Sequence, residues 1–142
     1  MRLAPRLSTL FLSVCFCFLA ACAVSASTLP VIALPNGYYL QRNKSSDIAL
    51  VKRNGSTVLR GPVAAYAVHR TIVAGCVGKW PERGFSYPNE TPFPESAPAK
   101  YFVLDTTTGQ LQSDLERAEW KERLKAMGVP DTFRIVAPLL PA

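Results

Sequence analysis

The stretch DIALVKRNGSTVLR, residues 47–60, decides the fold more than any other part of the chain. Two runs rich in aliphatic and β-branched residues flank the dipeptide Asn54-Gly55. Asn-Gly is the preferred two-residue hairpin turn, because both residues tolerate a positive φ. The stretch therefore predicts an antiparallel hairpin with Asn54-Gly55 at its tip.

Strand patterns continue on both sides of this hairpin. Residues 37–42 predict a strand before it, and a second hairpin is expected to turn at His69-Arg70. Its two strands are expected at residues 63–68 and 71–77. Further strands are expected at residues 99–105, before the turn at 106–109, and at the edge position 133–136.

One helix is expected near the C-terminus. Ser113 and Glu116 match a capping box at its start, and Gly128 with Pro130 supplies a stop. One face of this helix carries the apolar side chains expected to pack on the sheet, Trp120, Leu124 and Met127.

Together these elements predict an α+β fold. We expect an antiparallel β-meander of five to six strands with one C-terminal α-helix packed on it. After removal of a leader the chain is long enough for one domain with a modest core, which we place at residues 37–137.

The N-terminus has the layout of a secretory signal. Arg2 and Arg6 precede an apolar or small-residue segment at 7–26, without an acidic residue. The basic flank stays in the cytoplasm, so the remainder of the chain is expected to be exported.

The end of that segment, Leu19-Ala20-Ala21-Cys22, resembles the lipobox of bacterial lipoproteins. The resemblance implies that residues 1–21 are removed and that Cys22 is acylated, so residues 22–36 would tether the domain. Ala23, where many inner-membrane lipoproteins carry Asp, implies sorting to the inner leaflet of the outer membrane, facing the periplasm. Two alternatives remain open: cleavage after Ala26, giving a secreted or soluble periplasmic protein, and a retained membrane anchor.

The charge distribution is uneven. Beyond residue 21 there are 14 basic and 10 acidic residues, a net charge of +4. Basic residues dominate the first half, where Asp47 is the one acid among Arg42, Lys44, Lys52, Arg53, Arg60, Arg70 and Lys79. They form either a basic sheet face for an acidic partner or lipid head groups, or ordinary solvated positions. No nucleic acid partner is expected outside the cytoplasm.

Few residues suggest catalysis. Cys15 and Cys17 lie in the signal, which leaves Cys76 in an apolar setting and predicts a buried thiol. His69 is the single histidine, so no metal site of His and Cys is expected, and no cofactor motif is present. An enzyme is therefore not expected. The sharpest catalytic alternative is a dyad of Cys76 and His69.

A proline-rich loop is expected at residues 78–100, because five prolines keep this segment out of helices and sheet ladders. Its aromatic side chains either anchor a protein partner or fold back over an open sheet face. They are the candidate partner-binding residues of the sequence: Trp80, Phe85, Tyr87 and Phe93.

The sequence thus predicts a small membrane-anchored periplasmic lipoprotein that acts as a non-catalytic protein-binding module. Its partners would be the membrane, through the N-terminal lipid, and an unidentified protein. In general form it resembles immunity proteins that neutralise toxins delivered to the periplasm, with the 78–100 loop as a candidate insert. The alternative is a structural or accessory component of a cell-envelope assembly.

Replacing the lipidated cysteine tests the N-terminal assignment. The mature wild-type protein is expected to carry an acylated Cys22 and to fractionate with membranes, because several acyl chains anchor stably. The Cys22→Ala protein is expected to be unprocessed or soluble, as measured by intact mass and membrane fractionation. A wild-type protein that begins at Ser27 without lipid would contradict the assignment.

Overall fold

The computed structural model describes residues 31–43, 47–80 and 92–138. The fold is α+β, with two antiparallel four-stranded sheets and one C-terminal helix. The first sheet contains, in order, β1 Val31–Ala33, β2 Tyr38–Arg42, β3 Ile48–Lys52 and β4 Thr57–Leu59. The second sheet contains β5 Val63–His69, β6 Ile72–Val77, β7 Lys100–Asp105 and β8 Gln110–Leu115, and is followed by α1 Arg117–Ala126.

The prediction of one meander of five to six strands was wrong in strand number and in the number of sheets. Residues 31–36, expected in the tether, form β1 and a 3-10 turn at Pro35–Gly37. β1 pairs with β2 over three residues, which is too short for a strand pattern to show in the sequence. Residues 133–136 form no strand; Val136 makes isolated bridges to Tyr66 and Pro92.

The second sheet lies in the middle of the molecule and is apolar on both faces. Side chains from both sheets share one core, which includes the fully buried Leu40, Leu50, Phe102 and Leu104. The opposite face of β6 and β7 packs against α1 and the C-terminal segment. Burial on both faces explains the nearly continuous apolar runs of β6 and β7, in place of an alternating pattern.

Gly75 allows the two central strands to pack closely. It lies opposite Phe102 in the β6–β7 ladder. A Cβ at this position would lie 2.2 Å from the carbonyl oxygen of Ala65 and 3.0 Å from the Phe102 ring. A side chain at position 75 would therefore push apart the backbone and the buried ring.

Two β-bulges of the second sheet are each capped by a tryptophan. In the β7–β8 pair the register shifts at Phe102, and the indole N–H of Trp120 donates a 3.0 Å hydrogen bond to the Phe102 carbonyl. In the β5–β6 pair Ala64 is the extra residue, and the indole N–H of Trp80 donates a 2.7 Å hydrogen bond to its carbonyl. Each indole therefore donates to a backbone carbonyl beside a register shift inside the protein.

Both predicted hairpins form, with different turns. The first has a three-residue turn, since the N–H of Lys52 bonds to the Ser56 carbonyl and Gly55 alone in the turn has a positive φ, 82°. The two-residue turn predicted for Asn54-Gly55 was therefore wrong. In the second hairpin His69 still pairs in the ladder, and the turn begins one residue later, at Arg70.

The predicted stop of the helix at Gly128 is confirmed, but its predicted start is wrong. The helix begins at Arg117, and Glu116 at its N-cap makes no capping hydrogen bond. Glu116 pairs instead with Lys100, and Ser113 belongs to β8. Pairing with β7 extends β8 past Ser113, the first residue of the predicted capping box, as far as Leu115.

The apolar face of the helix is as predicted at two of its three positions. Trp120 and Leu124 are buried, whereas Met127 is 38% exposed. On the exposed side of the helix, Nη2 of Arg123 lies 3.8 Å from Oε1 of Glu119. Met127 is exposed because it is the C-cap, where the chain turns away from the helix.

Removing the indole donor tests the role of this hydrogen bond. Trp120→Phe is expected to lower the free energy of unfolding by about 2–3 kcal/mol, because it removes a hydrogen bond to a buried carbonyl and leaves a small cavity. Trp80→Phe is the matched control, with an expected loss of about 1 kcal/mol, since Trp80 is only half-buried and water can replace its donor. Urea unfolding measures both. Equal losses would contradict the special role of Trp120.

Candidate functional site

The candidate site is a groove of about 380 Å³ between α1, residues 92–95 and the C-terminal segment 129–135. We call it the helix groove. Its volume lies within the range of ligand pockets. Its lining has about as much polar as apolar surface, with charged side chains at the rim and nine apolar or aromatic residues in the floor and walls: Pro92, Phe93, Tyr101, Trp120, Leu124, Val129, Pro130, Phe133 and Ile135.

The end of the helix shapes one wall of the groove. Gly128, with φ 77°, takes the left-handed conformation. Its N–H bonds to the Lys125 carbonyl at 3.1 Å, and the N–H of Val129 bonds to the Leu124 carbonyl at 3.0 Å. These two bonds form a Schellman motif, which brings Val129 against Leu124 inside the core.

Backbone bonds hold the other walls together. The N–H of Phe93 donates to the Ile135 carbonyl at 3.2 Å, and Val136 exchanges two bonds with Tyr66 in β5. The groove is therefore built on the second sheet rather than on a free chain end.

A row of cations lines the rim. Arg117, Lys121 and Lys125 are spaced four residues apart along α1, and Arg134 faces them from the C-terminal segment. The acidic residues lining the groove are Glu95 and Asp131. Like charges four residues apart on a helix repel each other. The rim therefore carries a net charge of +2 next to an apolar floor.

The pKa of Glu95 is lowered by the positive charges of this rim. Its ion pair with Arg117 lowers the pKa of the carboxyl group first, and the charges of Lys121 and Arg134 lower it further. Glu95 is exposed to solvent, so this pairing contributes little to stability. It shows instead that a carboxylate at the mouth of the groove is favoured by three separate cations.

The structure places two of the four candidate aromatic residues. Phe93 is buried and lies in the floor of the helix groove. Trp80 is half-buried and meets Phe93 edge to face, with ring centroids 5.1 Å apart at 74°. Both rings pack on the second sheet, as the sheet-covering alternative expects. Phe85 and Tyr87 lie outside the described residues, as does the lipidation candidate Cys22.

Cys76 is buried, as its apolar neighbours predict. Burial raises the pKa of its thiol to about 12, which keeps it neutral at physiological pH. His69 pairs with Ile72 in the ladder, while Cys76 lies four residues further along β6, at about 13 Å. The two side chains do not form a catalytic dyad.

The basic residues of the first half share one kind of position in the fold. Those in the described ranges lie at strand ends and in turns: Arg42, Lys52, Arg53, Arg60, Arg70 and Lys79. Within residues 31–43, 47–80 and 92–138, no group of three or more His, Cys, Asp or Glu side chains could hold a metal ion. In the same ranges no helix is long and apolar enough to cross a membrane.

Sequence reasoning missed the helix groove, although one signal was present. The spacing of Arg117, Lys121 and Lys125 is visible in the sequence, but the intervening Glu119 and Glu122 suggest an ordinary mixed surface. Only the position of the C-terminal segment shows that the three cations border an apolar recess.

Comparisons of the chain with protein families, with curated proteins and with solved structures find no match.

The buried thiol leads to a prediction about pH. An unfolded cysteine ionises near its ordinary pKa of 9.0, whereas the folded thiol stays neutral until about 12. The free energy of unfolding is therefore expected to fall as the pH rises through this window. Cys76→Ala should show a shallower fall, keeping the contributions of Tyr66, Tyr101 and Lys100, whose pKa values are also raised in the folded protein. Urea unfolding at several pH values measures this, and parallel curves would contradict a buried neutral thiol.

Proposed function

We propose that this protein is a lipid-anchored, exported module that binds another protein and performs no catalysis. The anchor is Cys22, and the domain faces the periplasm from the inner leaflet of the outer membrane. The binding surface is the helix groove together with the segment that carries Phe93. The observation that carries the proposal is a preformed apolar recess with a cationic rim.

The groove has the composition of a protein-binding site. Specific interfaces bury aromatic and apolar side chains at their centre and place charged groups at the rim. Phe93 and Trp120 lie in the floor and are held in place by ring contacts with Trp80 and Tyr101. Such a prearranged surface loses little entropy when a partner binds.

A non-catalytic role is supported by the residues that catalysis would use. The thiol of Cys76 is buried and neutral, and His69 lies too far along the sheet to activate it. Burial raises the pKa of Tyr101 in the groove, so its hydroxyl stays protonated and cannot act as a general base. Binding therefore accounts for the groove with fewer assumptions than an enzyme does.

The first class of partner to test is a toxin delivered to the periplasm, which the protein would neutralise by occupying a site on it. In the alternative, the partner is a component of a cell-envelope assembly. The candidate residues Trp80, Phe85, Tyr87 and Phe93 belong to either proposal.

Site-specific cross-linking in living cells tests the proposed function. A photo-reactive amino acid at position 125 in the rim should give a defined cross-linked protein in the membrane fraction, and Cys22→Ala should move or abolish it. Position 53, in the turn of the first hairpin, is the matched surface control. Mass spectrometry of the adduct then separates a toxin from an envelope component.

The absence of any adduct from rim positions, with the protein present at its normal level, would overturn the proposal. Equal adducts from positions 125 and 53 would also do so, because they would indicate contact by proximity alone.

A further inference from the structure

The cations of the rim are only partly neutralised within the protein. Arg117 pairs with Glu95, and the Arg134 guanidinium donates to the backbone carbonyls of Asp131 and Phe133. Within the described part of the chain, Lys121 and Lys125 have no ion pair. Two adjacent like charges therefore remain on the exposed side of α1, directly beside the groove.

Glu95 occupies the position that a ligand's carboxylate would take. It is fully exposed, and it is held at the groove by its ion pair with Arg117 rather than by packing. The charges of Lys121 and Arg134 also lower its pKa, and an incoming carboxylate meets the same cations when Glu95 moves aside. The protein's own side chain thus indicates which chemical group this mouth accepts.

Tyr101 supplies a second, independent indication. It is only 4% exposed, lines the groove, and packs on Trp120 with ring centroids 4.8 Å apart. No hydrogen bond from its hydroxyl to another side chain or to the backbone is present among the described residues. The hydroxyl reaches the groove, so a polar ligand atom that enters can take the place of the water that solvates it.

We propose that the helix groove binds a segment of the partner protein in which a large apolar side chain stands next to a carboxylate. The apolar side chain fills the recess above Phe93 and Leu124. The carboxylate pairs with Arg117 and Lys121, and the Tyr101 hydroxyl donates to it or to a neighbouring carbonyl. This inference rests on the proposed function and names the chemistry of the segment that is recognised.

A concave site favours a peptide segment over a membrane surface. The apolar floor lies in a recess between two chain segments, which a flat layer of lipid head groups cannot enter. An acidic side chain and an adjacent apolar one on a partner satisfy the rim and the floor at the same time.

Selection from a random peptide library on the full mature protein tests the proposal directly. The enriched sequences are expected to place Asp or Glu next to Phe, Trp or Leu. The best enriched peptide, made synthetically, is then the probe for affinity measurements by fluorescence anisotropy.

Two variants of α1 that reverse the same charge, one at the groove and one away from it, show where the probe binds. Lys121→Glu is expected to weaken the probe about tenfold, whereas Arg123→Glu, on the same helix but away from the groove, should leave it nearly unchanged. Tyr101→Phe removes one hydroxyl and should weaken binding about threefold without loss of stability. Glu95→Gln releases Arg117 and should strengthen binding about twofold. A variant that merely damaged the fold would weaken binding instead.

Several results would overturn the inference. These are enriched peptides without the acidic and apolar pairing, no enriched peptide at all, equal effects of Lys121→Glu and Arg123→Glu, or saturable binding only to vesicles containing phosphatidylglycerol. If a partner still cross-links at position 125 when Lys121→Glu has no effect, this inference fails and the proposed function stands. If no partner cross-links to the wild-type protein, the proposed function itself fails.

Discussion

The hydrogen bond from the indole of Trp120 to the carbonyl of Phe102 is the contact on which the rest of the structure depends. The second sheet is covered on both faces, so its backbone polar groups lie in an apolar interior and need partners there. Beside the register shift between β7 and β8, one side chain of α1 both fills the space on the sheet and donates to the Phe102 carbonyl. The same contact sets the position of α1 on the sheet and therefore the depth of the groove beside it.

The helix groove follows from this position of α1 on the sheet. Trp120 fixes the helix, and the Schellman motif at Gly128 returns the chain along its edge. The segment after Val129 then lines the groove together with the helix. The cations four residues apart face this recess because their position on the helix follows from the burial of Trp120 and Leu124.

Local patterns were sufficient for some elements and insufficient for others. The hairpin around Asn54-Gly55 and the stop at Gly128 depend on the backbone preferences of nearby residues, so they were visible in the sequence. The strand β1, the extension of β8 and the start of α1 depend on which strands pair, and pairing overrode a good capping pattern at Ser113. The groove was hidden for the same reason, since its two walls come from segments that meet only in the folded chain. The proposed lipidation of Cys22 depends on a processing signal outside the described residues, so the fold does not bear on it.

The early position of β1 has a geometric consequence for the tethered protein. Since Val31 already belongs to the first sheet, an acylated Cys22 leaves only residues 22–30 as a leash. A fully extended leash of this length spans at most about 30 Å, which is similar to the diameter of a small domain. The domain would then stay close to the membrane surface. An envelope protein in the same layer would be present at a high effective concentration, so even weak binding to it would be significant.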